Sequence, residues 1–152
     1  ALGGGMGLVS VCDIVLAHEK SKFGFSEVKL GIAPSVISSF VIHKIGASQA
    51  RRFFLTGERF SPELAKEIGL VHEIYNDRNK EDVLEKYIDE IKKNSGHAMS
   101  ACKELVKNHQ SLNEEDFFLF CTDQIAKLRA SEDGQEGMQS FFDKRKAKFN
   151  LS

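Results

Sequence analysis

The chain has 152 residues, 41% of them hydrophobic, and a formal net charge of −1. That length suits a single domain with a real core, and the apolar content, spread in short periodic runs, is too high for disorder. Near-neutral charge and a pI near 6.6 give no electrostatic argument for nucleic acid or a membrane surface as partner.

Leu2-Gly3-Gly4-Gly5-Met6-Gly7 is a glycine turn running into a predicted short helix, residues 4–12, with Leu8, Val9, Val11 and Cys12 buried. Glycines let a ligand approach the main chain closely. The first turn of a helix leaves N–H groups unpaired at its positive end, so such a turn can hold a phosphate or an oxygen that becomes negative during a reaction. Tight packing alone is an equal reading of the same glycines. The dinucleotide fingerprint is excluded, because it needs glycine where Leu8 stands, and no glycine loop ends in Gly-Lys-Ser/Thr.

Residues 13–17 and 22–25 read as brief strands separated by the charged turn His18-Glu19-Lys20. Glu27 follows the uncharged run Phe23-Gly24-Phe25-Ser26, and is either a solvated surface carboxylate or an acid/base partner for the glycine turn. Pro34-Ser35 is expected to open the next helix with Ser35 as cap, Val36, Ile37, Phe40, Val41 and Ile45 inward, and Gly46 at its end. A helix over residues 48–55 stops at Thr56-Gly57. Ser61-Pro62-Glu63 supplies a capping hydroxyl, a proline at the first helical position and an acid in the first turn. Gly69 closes that helix, and residues 71–75 read as a last strand.

From Asp82 onward the periodicity is helical. Val83, Leu84, Tyr87, Ile88 and Ile91 form one stripe, broken by Asn94-Ser95-Gly96. Met99, Cys102, Leu105 and Val106 form the next, and Phe117, Phe118, Cys121, Ile125 and Leu128 the third. The aromatic run Phe117-Phe118-Leu119-Phe120 suits subunit contact or plain core packing. Cys12, Cys102 and Cys121 are too far apart for a disulfide framework or zinc site and are expected to be buried free thiols in a reducing compartment, the cytoplasm. The histidines stand in no ligand spacing, so no metal is expected. Residues 1–17 are apolar but carry Asp13 and lack the basic leader of a signal peptide, and no span reaches transmembrane length without a charge.

Ala1-Leu2-Gly3-Gly4-Gly5, Cys12-Asp13-Ile14, Phe23-Gly24, Glu27, Leu30-Gly31-Ile32 and Pro34 follow an order and spacing that resembles the crotonase (enoyl-CoA hydratase/isomerase) superfamily. Ile45-Gly46, Leu55-Thr56-Gly57, Ala65, Gly69-Leu70-Val71, Glu136-Gly137-Met138 and Phe141-x-x-Lys144-Arg145 continue the match. The resemblance implies an α/β fold: residues 1–76 as the last turns of a ββα spiral core, and residues 77–152 as a helical trimerisation region, the trimers often pairing into hexamers. It also implies that the chain is the C-terminal part of a longer protein.

The implied ligand is an acyl-CoA thioester whose enolate accepts hydrogen bonds from two backbone N–H groups. Coenzyme A is part of the substrate, and no separate cofactor is implied. The middle glycine of the run, Gly4, is the implied second donor; the first lies upstream, so these residues alone should hold half an oxyanion hole and be inactive. Typical hydratases of the family use two glutamates, whose positions fall here on Gly7 and Glu27, leaving Glu27 to act alone. Gly3, Gly7, Ser26, Leu30, Pro34 and Ser35 are the implied substrate-lining residues. Ser35 and Ser38 also read as helix-start serines. Lys144 is implied to approach the CoA of a neighbouring subunit, with a merely solvated Lys144-Arg145-Lys146 cluster as the alternative. Arg51-Arg52 could serve a phosphate, an acyl carboxylate or an intersubunit ion pair.

A second departure follows Pro34, where hydratases commonly carry a Gly-rich stretch and this chain carries Ser35-Val36-Ile37-Ser38-Ser39-Phe40. With Gly7 and the run from Ala50 to Thr56, it resembles the bacterial methylglutaconyl-CoA hydratase branch, which acts in leucine breakdown, and its carboxygeranoyl-CoA relatives. The implied activity is hydration of an α,β double bond. A Δ3,Δ2-enoyl-CoA isomerase of the same fold and a non-catalytic assembly module are the alternatives.

Overall fold

The computed structural model describes residues 1–149 of the chain. Two compact units divide these residues, one of residues 1–85 and one beginning at residue 86.

The first unit runs α1 (Gly4–Val11), β1 (Leu16–His18), β2 (Phe23–Gly24), a 3-10 turn (Glu27–Leu30), α2 (Ser38–Thr56), β3 (Arg59–Phe60), α3 (Pro62–Glu67) and β4 (Glu73–Tyr75). β1 pairs in parallel with β4, Leu16 opposite Glu73 and His18 opposite Tyr75. β2 pairs antiparallel with β3, Phe23 opposite Phe60. This pairing stacks aromatic rings through the middle of the unit: the centroids of Phe53 and Phe60 lie 4.2 Å apart, and Phe25 stands edge-on to Phe54 at 5.0 Å. Met6, Val41, Ile45, Leu70 and Val71 complete the core.

α1 is a helix, but its buried face is Met6, Gly7 and Ser10, whereas Leu8, Val11 and Cys12 are exposed and Val9 is half-buried. The stretch is apolar nearly all round, so hydrophobicity does not mark an inner side. The small residues decide it, because they admit α2 closely, and Ser10 satisfies its hydroxyl on the Met6 carbonyl at 2.8 Å. The thiols of Cys12 and Cys102 are likewise exposed and that of Cys121 half-buried.

α2 begins at Ser38 rather than Pro34, behind a short turn in which the Ile37 N–H donates to the Pro34 carbonyl. Ile37 stands at the cap position, so Ser35 caps nothing. Val41 and Ile45 face the core; Val36 and Phe40 are exposed. Gly46 breaks the helix as expected: its φ 76° and ψ 158° are not helical, a conformation that glycine enters without a Cβ penalty, so α2 is two helical segments meeting at a kink, the second ending at Thr56. α3 starts as its sequence dictates, the Ser61 hydroxyl accepting the Leu64 N–H and Pro62 standing first.

α4 (Lys80–Lys92) begins two residues before Asp82 and buries none of its side chains. Behind it come α5 (Gly96–His109), α6 (Glu114–Ala130) and α7 (Glu132–Phe142), each capped by a side chain that accepts a first-turn N–H: Ser95, Asn113 and Ser131. Inside this second unit the ties are polar. Asp133 accepts from the Ser95 hydroxyl and lies 3.3 Å from His97 Nδ1. Buried Gln124 donates to the Ala101 carbonyl. Glu136 is gripped by Arg145 at 2.6 and 2.8 Å and by the Lys148 N–H at 2.7 Å. The Arg145 guanidinium and that N–H hold the Glu136 carboxyl down at about 2.

Candidate active site

The glycine turn and Glu27 meet. Gly3 holds φ 52°, and its N–H donates to the Gly24 carbonyl at 3.2 Å, which ties the turn to β2. A Cβ built on Gly3 would lie in ordinary contact, 3.5 Å, with Glu27 Oε1, so the carboxylate lies beside the turn, and it is the positive φ that calls for glycine here. The Gly5 N–H is committed to the Leu2 carbonyl and the Met6 N–H to the Gly3 carbonyl. Gly4 opens α1, so its N–H has no intrahelical acceptor, and a Cβ on it would meet nothing within 4 Å. The Gly4 N–H is thus a first-turn donor at the positive end of a helix.

Glu27 sits in the first residue of the 3-10 turn, which Gly31 closes through an N–H to the Glu27 carbonyl. The side chain is half-buried, and its Oε2 is buried with no hydrogen-bond partner. A buried polar atom left unpaired costs about 1–3 kcal/mol, so it calls for an explanation. A proton or a substrate oxygen that belongs at that atom supplies one. Around it Ser26 is half-buried, Pro34 buried, and Leu30 and Ser35 exposed.

Gly7 is closed where Gly4 is open. Its Cβ would lie 2.4 Å from Cγ2 of Ile37 and 3.0 Å from Ile37 Cβ, so no side chain fits there while Ile37 keeps its place. Ile37 was legible in the sequence only as a helix-face residue; the signal that could have found it is that Gly7 and the run after Pro34 depart from the hydratase pattern together. Gly24 is the other residue that sequence reasoning missed, through its carbonyl. Of the two arginines, Arg52 is committed to Glu58 at 2.8 Å and lies over the Phe53 ring, while Arg51 is exposed. Lys144 belongs to the second unit, exposed at φ 53°, next to an Arg145 already paired with Glu136 and Asp143. Among the described residues no group of three or more His, Cys, Asp and Glu is placed to hold a metal ion, and no helix is long and apolar enough to cross a membrane.

The family model described as Enoyl-CoA hydratase/isomerase matches residues 1–151, and the chain belongs to that family. It is 30% identical over 149 residues to an enoyl-CoA hydratase homologue of Thermus thermophilus, covering 98% of this chain and 59% of that one. It is also 30% identical over 151 residues to the 2,3-dehydroadipyl-CoA hydratase of Escherichia coli, again 98% of this chain and 59% of the relative. Among solved structures, an enoyl-CoA hydratase from Shewanella pealeana superposes with a TM-score of 0.91 at 37% identity, over 98% of this chain and 56% of that one. The chain therefore spans about six-tenths of the length of these relatives, and its fold is the α/β crotonase-like fold, mostly helical.

Proposed function

We propose that this chain carries the acid/base half of an active site that adds water to an α,β-unsaturated acyl-CoA thioester. Glu27 takes a proton from water as its oxygen bonds to Cβ, and returns a proton to Cα. The thioester oxygen becomes negative in between, and the Gly4 N–H donates to it. A fixed donor at that oxygen stabilises the transition state more than the ground-state carbonyl. The observation that carries this reading is the Glu27 carboxylate, with Oε1 against the glycine turn and Oε2 buried and unpaired. Gly3, Ser26, Leu30, Pro34 and Ser35 line the substrate in this reading, and Lys144 reaches the CoA of a neighbouring subunit. The acyl group is branched, as in methylglutaconyl-CoA. The first oxyanion donor comes from residues outside these 152, so the fragment alone is inactive. Subunits pack as trimers, paired or not into hexamers, in the cytoplasm. The apolar side chains left exposed on the helices, Phe118 and Leu119 among them, support that packing.

A second reading, Δ3,Δ2-enoyl-CoA isomerase, is favoured by one specific observation: Ile37 fills the space beside Gly7, so one carboxylate serves the site. The test uses the full-length protein, wild type and Glu27→Gln, with 3-methylglutaconyl-CoA and crotonyl-CoA, following the enoyl-thioester absorbance. Glu27→Gln is expected to lower turnover by ~10²–10⁴-fold; unchanged turnover sinks both readings in favour of a site placed elsewhere, and a wild type without turnover favours a non-catalytic module. Heavy-oxygen water separates the two, since only hydration places label in the product.

A further inference from the structure

The two departures in the sequence are one structural feature. Gly3, the non-helical residue that caps α1, and Gly7, inside its first two turns, are four residues apart; a Cβ at the first would meet Glu27 and one at the second would meet Ile37. Ile37 is only half-buried; part of it packs on the core and part does not. Its carbonyl accepts the Val41 N–H and its N–H donates to the Pro34 carbonyl, which fix its backbone at the entry to α2. We infer that Gly7 and Ile37 form a coupled steric pair in which Ile37 is the apolar wall beside Glu27, a specificity-determining residue that sets the acyl groups the site admits. This deepens the proposed function and rests on it for the ligand, but the pairing itself rests on geometry alone.

The physical content is an exchange of volume. With isoleucine at 37, nothing larger than glycine fits at 7, because a Cβ 2.4 Å from a methyl carbon forces backbone or side chain to move. With a small residue at 37, position 7 accepts a side chain and the wall recedes. A branched methyl on the acyl chain meets Ile37 through dispersion and loses that contact when the wall is trimmed.

Two measurements test this independently. The first needs no substrate: thermal unfolding of wild type, Gly7→Ala, Ile37→Ala and the double variant. Gly7→Ala is expected to lower the midpoint by ~5 °C in the wild-type background and by much less beside Ile37→Ala. Additive shifts would overturn the pair. The second compares kcat/KM for straight and β-branched enoyl-CoA substrates in the full-length protein, wild type against Ile37→Ala and the milder Ile37→Val. The ratio between substrates is expected to move ~10-fold or more for alanine, and less for valine. An unchanged ratio in variants that still turn over, with non-additive unfolding, would leave the packing and overturn the specificity role. If the wild type converts no enoyl-CoA while the unfolding shifts are coupled, the proposed activity fails and the pair stands as a packing device, without the specificity role.

Discussion

Residues 1–85 and the described residues beyond them solve the same folding problem differently. Among the described residues, thirteen of the fourteen buried hydrophobic side chains fall in the first unit, and Ala101 alone falls in the second. The first unit is held by stacked rings and aliphatic burial around two very short strand pairs. In the second unit every helix after α4 is capped by a side chain, and its buried polar residues, Ser95, Gln124 and Ser140, are all hydrogen-bonded. Its apolar residues Val106, Phe118, Leu119 and Ile125 are exposed. Helical stability ordinarily comes from packing an apolar face, so the second unit is the more weakly held within this chain, and its opening energies should lie below those of the first.

The largest expected effect is a pair of phenylalanine deletions. Phe53→Ala removes a fully buried ring stacked on Phe60 and should destabilise by about 3–5 kcal/mol in denaturant unfolding. Phe118→Ala removes a ring with 69% of its surface exposed and should stay within about 0.5 kcal/mol. If the second matches the first, that face of α6 is covered in solution and the contrast between the units belongs to the isolated chain.

Next in size is Asp133→Ala. It leaves the buried Ser95 hydroxyl without its acceptor and His97 without its partner, which should cost about 1–2 kcal/mol. Hydrogen exchange should speed up in the first turn of α5, at the Ala98 and Met99 amides, with the amides of α2 unchanged. Equal acceleration in both units would show that they unfold as one.

What the sequence showed tracks how local each signal is. Ser61-Pro62-Glu63 and Gly57 act on their own neighbours, and their helix start and stop appear where the residues place them. The buried face of α1 was not legible, because Leu8, Val9 and Val11 offer as much apolar surface as Met6, and only the approach of α2 chooses between them. β3 was missed for a similar reason: two residues, Arg59 and Phe60, carry no alternation, and their pairing with β2 joins distant parts of the chain, Gly24 with Arg59 and Phe23 with Phe60. At the site, Gly3 and Glu27 could be named separately, but what brings the turn beside the carboxylate is the Gly3 N–H reaching the Gly24 carbonyl across the chain. The closure of Gly7 by Ile37 is a fact about two positions, so no reading of one of them contains it.

Acid titration should separate the units with the smallest effect. In the first unit, His72 Nδ1 accepts the Val15 N–H at 3.0 Å, while the His72 backbone N–H donates to the Val15 carbonyl at 2.8 Å. A protonated imidazole has no acceptor nitrogen. Burial, and then the Lys44 ammonium, lower the His72 pKa below 6.5. The unfolded chain therefore binds a proton that the folded chain refuses, and stability rises with pH across that interval. The contribution is fully present above 6.5 and is lost as pH falls from there through the depressed folded value. In the second unit the Glu136–Arg145 grip follows the carboxylate sign: present above 4.5, and lost as pH falls towards about 2. Two-dimensional NMR should therefore show the Val15 amide moving first and the Lys148 amide only at lower pH. A His72 ring that titrates at or above 6.5, or a Val15 amide indifferent to it, would remove His72 from the joint between β1 and β4. It would then leave Glu136 as the acid-sensitive contact that this comparison supports.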